Sequence, residues 1–239
     1  MREPSPSKSP DRIEGMFDAI AGRYDLLNHL LSAGIDATWR RRAIASLALT
    51  GTERLLDLCT GTADLAIAAG AASPSAARVV GVDFSHNMLR VGDAKVRRAS
   101  LGSPVTLVRG DAMRIPVASQ SVDVVTIAFG IRNVEQPEIA CRDMCRVLRP
   151  GGRIAILEFA IPTTPIVRAA YLAYFRHVLP RIGRAVSHHG AAYDYLPASV
   201  NAFASPDDFV KILRQSGFTG IRAVPLTFGI VFLYTGSRG

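Results

Sequence analysis

Cysteine is scarce in this chain of 239 residues, which contains only Cys59, Cys141 and Cys145. So small and odd a set argues against a disulfide-stabilised secreted domain and, without a signal-peptide pattern, indicates a reducing compartment. No apolar run approaches the roughly 18 residues of a membrane-spanning helix, so we do not expect an integral membrane protein. Neither H-E-x-x-H nor another clustered set of metal ligands is present, and we therefore predict no metal site.

Apolar sequence is plentiful, in short runs: 49% of the residues are hydrophobic, enough for one sizeable core. From residue 54 onward these runs alternate with helical patterns, which is typical of βαβ units around a buried parallel sheet. The last two strands have a short connection, which predicts that they pair antiparallel. The expected strands are 54–58, 78–82, 105–109, 122–128, 153–158, 221–225 and 229–235, and the expected helices are 64–72, 87–99, 137–148, 165–179 and 206–216. Between 148 and 153, a Pro-Gly-Gly turn is expected to lead into the fifth strand.

The segments outside that alternation indicate a simple domain organisation. Residues 1–12 hold three prolines and three serines without periodicity, which predicts a disordered tail. Residues 13–239 are expected to form one domain, in which helices within 13–48 cover the site as a lid. A very apolar helix and a polar loop fill 160–200, and we interpret them as an insertion on the substrate side.

The segment after the first predicted strand carries the clearest chemical signal. Asp57 lies in that strand, Gly61 follows it, and the second strand ends at Asp83. A glycine lets the backbone approach a ligand closely, and an acid at the second strand tip can accept hydrogen bonds from ribose hydroxyls. Because the pyrophosphate fingerprint G-x-G-x-x-G is absent, the pattern favours S-adenosylmethionine over a dinucleotide. The alternative is an ordinary tight turn with a solvated aspartate.

Longer segments resemble the ubiquinone/menaquinone biosynthesis C-methyltransferase family, and especially its menaquinone branch, over about residues 16–234. The L-R-P-G-G segment at 148–152 is shared by many methyltransferases and is weakly specific. The segments F-G-I-R-N-V at 129–134 and H-V-L-P-R-I-G at 177–183 are far more characteristic. One departure is Ala63, which stands where many methyltransferases have a second glycine.

The resemblance implies one Rossmann-like class I S-adenosylmethionine methyltransferase domain. This is an α/β fold with a mostly parallel seven-stranded sheet, an antiparallel last strand and an N-terminal helical lid. It implies methylation of a ring carbon of demethylmenaquinol to give menaquinol, the last step of menaquinone biosynthesis, with a ubiquinone-pathway benzoquinol as the alternative substrate. The residues expected to bind S-adenosylmethionine are Asp57, Gly61, Thr62, Asp83, Met88, Asp111 and Ala112.

Carbon methylation of a quinol needs groups that favour the ring phenolate, align the ring with the methyl donor and accept a proton. Arg132 is a permanent cation suited to a phenolate, and its alternative role is a structural ion pair beneath the sheet tip. Tyr24 and Asp25 are the other two catalytic candidates. Their alternative role is structural, in the packing and capping of the lid helices. The residues expected to bind the substrate are Asn28, Asn133, Tyr193 and Tyr195.

The formal charge of +8 favours an anionic partner. We expect an anionic membrane surface, because a polyprenyl naphthoquinol resides in the bilayer and residues 165–184 combine apolar side chains with arginines. The alternatives are a merely solvated basic surface and, for the apolar segment, a helix that covers one face of the sheet. The protein would then be cytoplasmic and peripheral at the inner face of the plasma membrane, and a homodimer is left open.

Two other functions remain as alternatives. A nucleic-acid methyltransferase would use the same cofactor, but neither an RNA-binding module nor an N/D-P-P-[FYW] tetrapeptide after the fourth strand is present, so no nucleic-acid partner is expected. A non-catalytic subunit that binds S-adenosylmethionine would keep Asp57 and Asp83 without a pocket for an acceptor. The sequence leaves the length of the isoprenoid chain undetermined.

Overall fold

The computed structural model describes residues 8–72, 78–99, 101, 103–178, 181 and 190–239, apart from the side chains of Leu27, Leu31 and 190–194. Within these ranges seven strands form one sheet. Every predicted strand is present, with ends that differ by a few residues. The strands are β1 (Arg54–Leu58), β2 (Arg78–Asp83), β3 (Val105–Arg109), β4 (Val122–Ala128), β5 (Leu148–Phe159), β6 (Phe218–Leu226) and β7 (Val231–Arg238).

The strand order across the sheet is β3-β2-β1-β4-β5-β7-β6. The first five strands run parallel, and β7 lies antiparallel between β5 and β6, which confirms the predicted fold class. The chain moves outward from β1 to β3 on one side and then returns to place β4 on the other. Ligands bind in such sheets at the carboxyl ends of the strands where the order reverses, here β1 and β4.

Helices cover both faces of the sheet because the central strands are apolar on both sides. On one face Leu56 and Ile127 pack among residues that include Met144 and Phe209. On the other face Leu55 belongs to a second buried cluster. The helices between the parallel strands are α4 (Asp64–Ala72), α5 (His86–Arg98) and α6 (Pro137–Val147), and α9 (Pro206–Gln215) precedes β6.

Three helices precede the sheet and form the lid: α1 (Pro10–Ile20), α2 (Tyr24–Leu31) and α3 (Asp36–Ser46). The side chain of Asp18 anchors α1 to the start of α5, because its Oδ1 accepts hydrogen bonds from Ser85 Oγ at 2.5 Å and Asn87 N at 3.2 Å. Because α1 begins at Pro10, the predicted tail boundary at residue 12 is wrong. Residues 1–7 of that predicted tail lie outside the described residues.

Two further helices occupy the predicted insertion. Helix α7 (Pro165–Ala173) continues as a π-helical segment at Tyr174–Val178, and α8 spans Gly190–Ala202. The predicted last residue of the 165–179 helix lies outside the described residues. None of the described helices combines the length and apolarity needed to span a bilayer.

The Pro-Gly-Gly segment differs from its prediction. It lies within β5, which already pairs with β4 at Leu148, rather than in a turn before the strand. The pairing register shifts next to it, between Val122 and Val124, and Gly151 has a φ of +74°. The additional residues of β5 relative to β4 thus form a bulge, and a glycine at positive φ is suited to this conformation.

Candidate active site

A first cavity of about 270 Å³, here called the cofactor chamber, opens at the carboxyl ends of β1 to β4 under helix α1. Among the predicted cofactor residues, Gly61, Asp83, Met88, Asp111 and Ala112 line it. These residues come from two loops, the end of β2 and helix α5. The topology of the sheet brings them together because parallel strands all end at the same edge.

Asp83 at the tip of β2 is the charged centre of this chamber. Its two carboxylate oxygens accept hydrogen bonds from the backbone amides of Gly61 at 2.8 Å and Ser85 at 2.9 Å. Burial raises the pKa of Asp83 to about 6, against the effect of those amides. Each oxygen keeps a lone pair beyond these two bonds, so the carboxylate can accept the two hydroxyls of a ribose.

The remaining lining residues give the chamber one further unmet acceptor. Asn133 lies here rather than at the predicted substrate position, and its buried Oδ1 has no hydrogen-bond partner. A buried amide oxygen of this kind normally has a donor, so the chamber fits a ligand that carries one. Asp111 is exposed at the other end and accepts from the amide of Met113 at 2.8 Å.

The backbone around the chamber adopts left-handed conformations at several non-glycine residues. Cys59, Ala63 and Phe129 have φ values of +52°, +68° and +60°. Such conformations cost energy in residues with a Cβ atom and occur most often at ligand sites. The value at Ala63 also explains why a glycine is common at that position in methyltransferases.

Asp57, expected among the cofactor residues, does not line the cofactor chamber. Its carboxylate is 1% exposed and accepts hydrogen bonds from Thr60 Oγ1 at 2.6 Å and Thr126 Oγ1 at 2.7 Å. Burial raises the pKa of Asp57 to about 6 despite these two bonds. The residue joins the tips of β1 and β4 and so holds the loop that carries Gly61.

Asp25 and Thr62, predicted as a catalytic and a cofactor residue, instead contact each other. Thr62 Oγ1 donates to Asp25 Oδ1, and Lys95 Nζ donates to Asp25 Oδ2 at 2.5 Å. Lys95 is also ion-paired with Asp64 at the start of α4. Among the described residues, neither Asp25 nor Thr62 lines a chamber. They tie the lid to the loop after β1.

A second cavity of about 390 Å³, here called the acceptor chamber, lies between the lid helices and α7. Its lining is mainly apolar and aromatic, and it includes Tyr24, Asn28, Arg132 and Tyr195 of the predicted site residues. The two chambers share three residues as a common wall: Phe17, Tyr24 and Phe129. The rings of Phe17 and Tyr24 meet edge to face, with centroids 6.0 Å apart.

Arg132 forms a buried ion pair at the floor of the acceptor chamber. Its Nη1 donates to Glu158 Oε1 at 2.7 Å and to the carbonyl oxygen of Phe129 at 2.5 Å. The guanidinium also lies over the ring of Phe159, 5.4 Å from its centroid. Arg132 is 6% exposed and Glu158 is fully buried. The structural ion pair that the sequence left open is therefore present, and it neutralises the charge of Arg132.

Two buried tyrosines lack hydrogen-bond partners in this chamber. Tyr171 of α7 is 8% exposed and Tyr195 of α8 is 7% exposed, and the hydroxyl of each is unpaired. Both residues line the chamber, so their hydroxyls are matched to a ligand with polar atoms. The side chain of Tyr193, the other predicted tyrosine, lies outside the described residues. Tyr24 is hydrogen-bonded to Asn28, and burial raises its pKa.

Sequence reasoning missed two features of the site. Glu158 was not among the expected site residues, although an acid near the end of an apolar strand is a sign of a buried partner. Asp36 and Arg40 form a second buried ion pair in the acceptor chamber. Their i, i+4 spacing on a helix was the available signal.

Across the described residues, no group of three or more potential ligands is placed to hold a metal ion.

A solved structure shows the same fold. A SAM-dependent methyltransferase from Thermotoga maritima aligns with a TM-score of 0.66 at 17% identity, over 95% of this chain and all of that one. The sheet order, the acid at the tip of β2 and the chamber beside it fit the class of S-adenosylmethionine-dependent methyltransferases, to which the family match described next assigns this chain.

The family follows from sequence comparison. The model of the ubiE/COQ5 methyltransferase family matches residues 6–238, and this chain belongs to that family. A ubiquinone/menaquinone biosynthesis C-methyltransferase UbiE from Syntrophotalea carbinolica is 50% identical over 93% of this chain and 92% of its own length. A demethylmenaquinone methyltransferase from Deinococcus radiodurans is 43% identical over 95% of this chain and 92% of its own length. The resemblance noted from the motifs is thereby confirmed.

Proposed function

We propose that this protein methylates a ring carbon of demethylmenaquinol, with a polyprenyl naphthoquinol as its substrate. The observation that carries the proposal is the pair of adjoining chambers, one with a ribose-type carboxylate and the other largely apolar. They share Phe17, Tyr24 and Phe129 as a common wall. A methyl donor and an acceptor ring on opposite sides of this wall would be held in close reach of each other.

The cofactor chamber suits S-adenosylmethionine, which supplies an electrophilic methyl group when bound. Asp83 would accept the ribose hydroxyls, and the exposed Asp111 with the amide of Ala112 would meet the adenine edge. Gly61 leaves the loop backbone open to the ligand, and Met88, 1% exposed, packs at its side. We assign the unmet Oδ1 of Asn133 to a donor group of the cofactor.

The acceptor chamber suits the ring of a quinol. The hydroxyls of Tyr171 and Tyr195 would satisfy their hydrogen bonds on the ring oxygens. Tyr24, between the chambers, is placed to orient the ring with Asn28 beside it. Arg132 remains our candidate for stabilising the phenolate, now acting from within its ion pair with Glu158.

Access for a polyprenyl substrate would come from a membrane surface at the inner face of the plasma membrane. Helix α7 lines the acceptor chamber with Tyr171 and exposes large apolar side chains on its other face, including Ile166 at 83% and Leu172 at 46%. Arg168 and Arg176 are exposed on the same segment. An apolar face flanked by arginines is suited to the headgroup region of an anionic bilayer.

The proposal is tested with the purified protein, methyl-labelled S-adenosylmethionine and a reduced demethylated naphthoquinol in detergent micelles. We expect the label to enter the quinol, with one S-adenosylhomocysteine formed per methyl group. A demethylated benzoquinol serves as the parallel substrate, and transfer to it alone would move the protein to the alternative pathway. Binding of S-adenosylmethionine without turnover of either quinol would make the chain a non-catalytic subunit instead.

A further inference from the structure

A second ion pair lies in the mainly apolar acceptor chamber, on the lid side. Asp36 and Arg40 are 7% and 8% exposed and both line the chamber. Arg40 Nη1 donates to Asp36 Oδ2, and Ser32 Oγ donates to Asp36 Oδ1 at 2.8 Å. The carboxylate is thus fixed by two donors while it faces the space that we assign to the quinol.

The same carboxylate also contacts a histidine on the outside of the lid. His29 Nδ1 lies 3.4 Å from Asp36 Oδ1, and the His29 side chain is 68% exposed. The imidazole packs against Gly34, where a Cβ atom would lie 3.1 Å from His29 Cε1. Gly34 therefore leaves the space that the ring occupies. Asp36 has the chamber on one side and a solvent-exposed imidazole on the other.

The proposed reaction creates a need for such a connection. Carbon methylation joins the methyl group to a ring carbon, breaks its bond to sulfur and leaves that electron pair on sulfur. The methylated carbon then loses its hydrogen as a proton, and the C–H electron pair restores the aromatic ring. One proton per turnover must therefore leave a chamber whose lining is mainly apolar.

We propose, on the basis of the function proposed above, that Asp36 accepts this proton and that His29 passes it to solvent. Asp36 Oδ1 would receive the proton in the chamber and transfer it to His29 Nδ1. The imidazole then releases a proton from Nε2 to water, since each ring nitrogen can serve as donor or acceptor. Distances between proton-transfer partners are commonly long before the substrate binds.

The groups around Asp36 suit an acceptor that does not retain the proton. Burial works to raise the pKa of Asp36, but the hydrogen bonds from Ser32 and Arg40 outweigh it and hold the pKa below its usual value. Arg40 also lies 3.7 Å from Asp64 of α4, which is the next charged group behind the pair. Asp36 is thus ionised before each turnover and passes its proton on readily.

The first test is His29→Gln, assayed for methyl transfer to the reduced naphthoquinol between pH 6 and 9. Because His29 is exposed, we expect the variant to fold normally and to bind both substrates unchanged. Its kcat should fall about tenfold at neutral pH, less than the hundredfold typical of a direct general base. Free imidazole should restore kcat, and the solvent deuterium isotope effect on kcat should increase.

His86→Gln is the matched control, because His86 is exposed at the start of α5 and lines neither chamber. It should keep the wild-type kcat and show no response to imidazole. A His29→Gln enzyme with wild-type kcat at every pH, or with a loss that imidazole leaves unchanged, would overturn the relay. Absence of turnover by the wild-type protein is a different result, because it contradicts the proposed function itself.

The variant Asp36→Asn distinguishes the step in which Asp36 accepts the proton from the step in which His29 releases it to solvent. It keeps the shape of the side chain and an acceptor for Arg40, so circular dichroism should report a folded protein. We expect a kcat at least tenfold lower than that of the wild type, with no rescue by imidazole, because the proton cannot reach the surface. The affinity for S-adenosylmethionine should be unchanged. Imidazole rescue in this variant, or full activity, would contradict a role for Asp36 as the acceptor.

Discussion

The cofactor chamber and the acceptor chamber adjoin each other but are built in different ways. The cofactor chamber is formed by the ends of strands, and its main group is one carboxylate, Asp83, held by backbone amides. The acceptor chamber is formed by helices, and its polar groups are paired side chains, Arg132 with Glu158 and Asp36 with Arg40. A buried charge in the first is therefore available to a ligand, whereas charges in the second are largely neutralised before any ligand arrives.

That difference suits the chambers to the distinct tasks that the proposed function gives them. A nucleoside with a charged amino-acid tail needs fixed donors and acceptors, which strand ends and loop amides supply. A polyprenyl quinol needs an apolar space with few polar contacts, and the helices of the lid and α7 supply it. The shared wall of Phe17, Tyr24 and Phe129 is where the two must cooperate.

The largest effect is expected from breaking the Arg132–Glu158 pair. Arg132→Ala would leave the fully buried carboxylate of Glu158 without a cation, which typically costs about 3–5 kcal/mol. Urea denaturation should report this loss as a lower free energy of unfolding. An Arg132→Ala protein as stable as the wild type would show that Glu158 is protonated or has other partners. The claim that charges in the acceptor chamber are neutralised in pairs would then be wrong.

The double variant Arg132→Met/Glu158→Met separates stability from chemistry. Replacing a buried ion pair by apolar side chains is often neutral for stability. The free energy of unfolding of this variant should therefore be close to that of the wild type. If Arg132 also stabilises the phenolate, turnover should still be about 100- to 1,000-fold lower than in the wild type. A stable and fully active double variant would restrict Arg132 to the structural role.

The same contrast explains which features the sequence predicted. The sheet and Asp83 were predictable because strand periodicity and the spacing from Gly61 to Asp83 are local signals. The acceptor chamber was not, because Tyr171, Tyr195 and the lid meet only through tertiary packing. Thr62 was expected to bind the cofactor because it follows Gly61, and Asp25 was expected to be catalytic as part of the lid. Their mutual hydrogen bond appears only once the lid is docked.

An intermediate effect is expected from Asp83→Ala in the cofactor chamber. Each charge-assisted hydrogen bond that it removes contributes about 1.5–3 kcal/mol, so the Kd for S-adenosylmethionine should rise roughly 10- to 100-fold. Titration calorimetry measures the change, and circular dichroism checks that the fold is retained. Asp207→Ala is the control, because Asp207 is exposed on α9 and lines neither chamber, so its replacement should leave the Kd nearly unchanged. Equal losses in both variants would remove the distinction between them.

The pH dependence of cofactor binding sharpens that assignment. The pKa of Asp83 is raised to about 6, so its carboxylate is ionised above pH 6 and becomes protonated below it. The affinity for S-adenosylmethionine should therefore be fully present at pH 7 to 8 and fall about tenfold by pH 5. The stability of the ligand-free fold depends on pH in the opposite direction. Because the pKa of Asp83 is higher in the folded state, its contribution to the free energy of unfolding increases as the pH falls from 6 toward 4. Asp83→Asn should bind weakly at every pH, and a similar decline in that variant would assign the titration to another group.

The smallest effect per residue is expected at the arginines of α7 and the segment after it. Each exposed basic residue near an anionic bilayer contributes about 1 kcal/mol, so binding to phosphatidylserine vesicles should weaken in an Arg168/Arg176/Arg181 triple glutamine variant and in high salt. Vesicle co-sedimentation measures this, with Arg90/Arg98/Arg142, exposed on α5 and α6, as the matched triple control. Methyl transfer to a soluble quinol without a prenyl tail should be unchanged, because these arginines do not line the acceptor chamber. Equal vesicle binding by both triple variants would show that the positive charge of the whole surface attracts the bilayer. The surface of α7 beside the acceptor chamber would then have no specific role in membrane binding, and the two chambers would not differ in this respect.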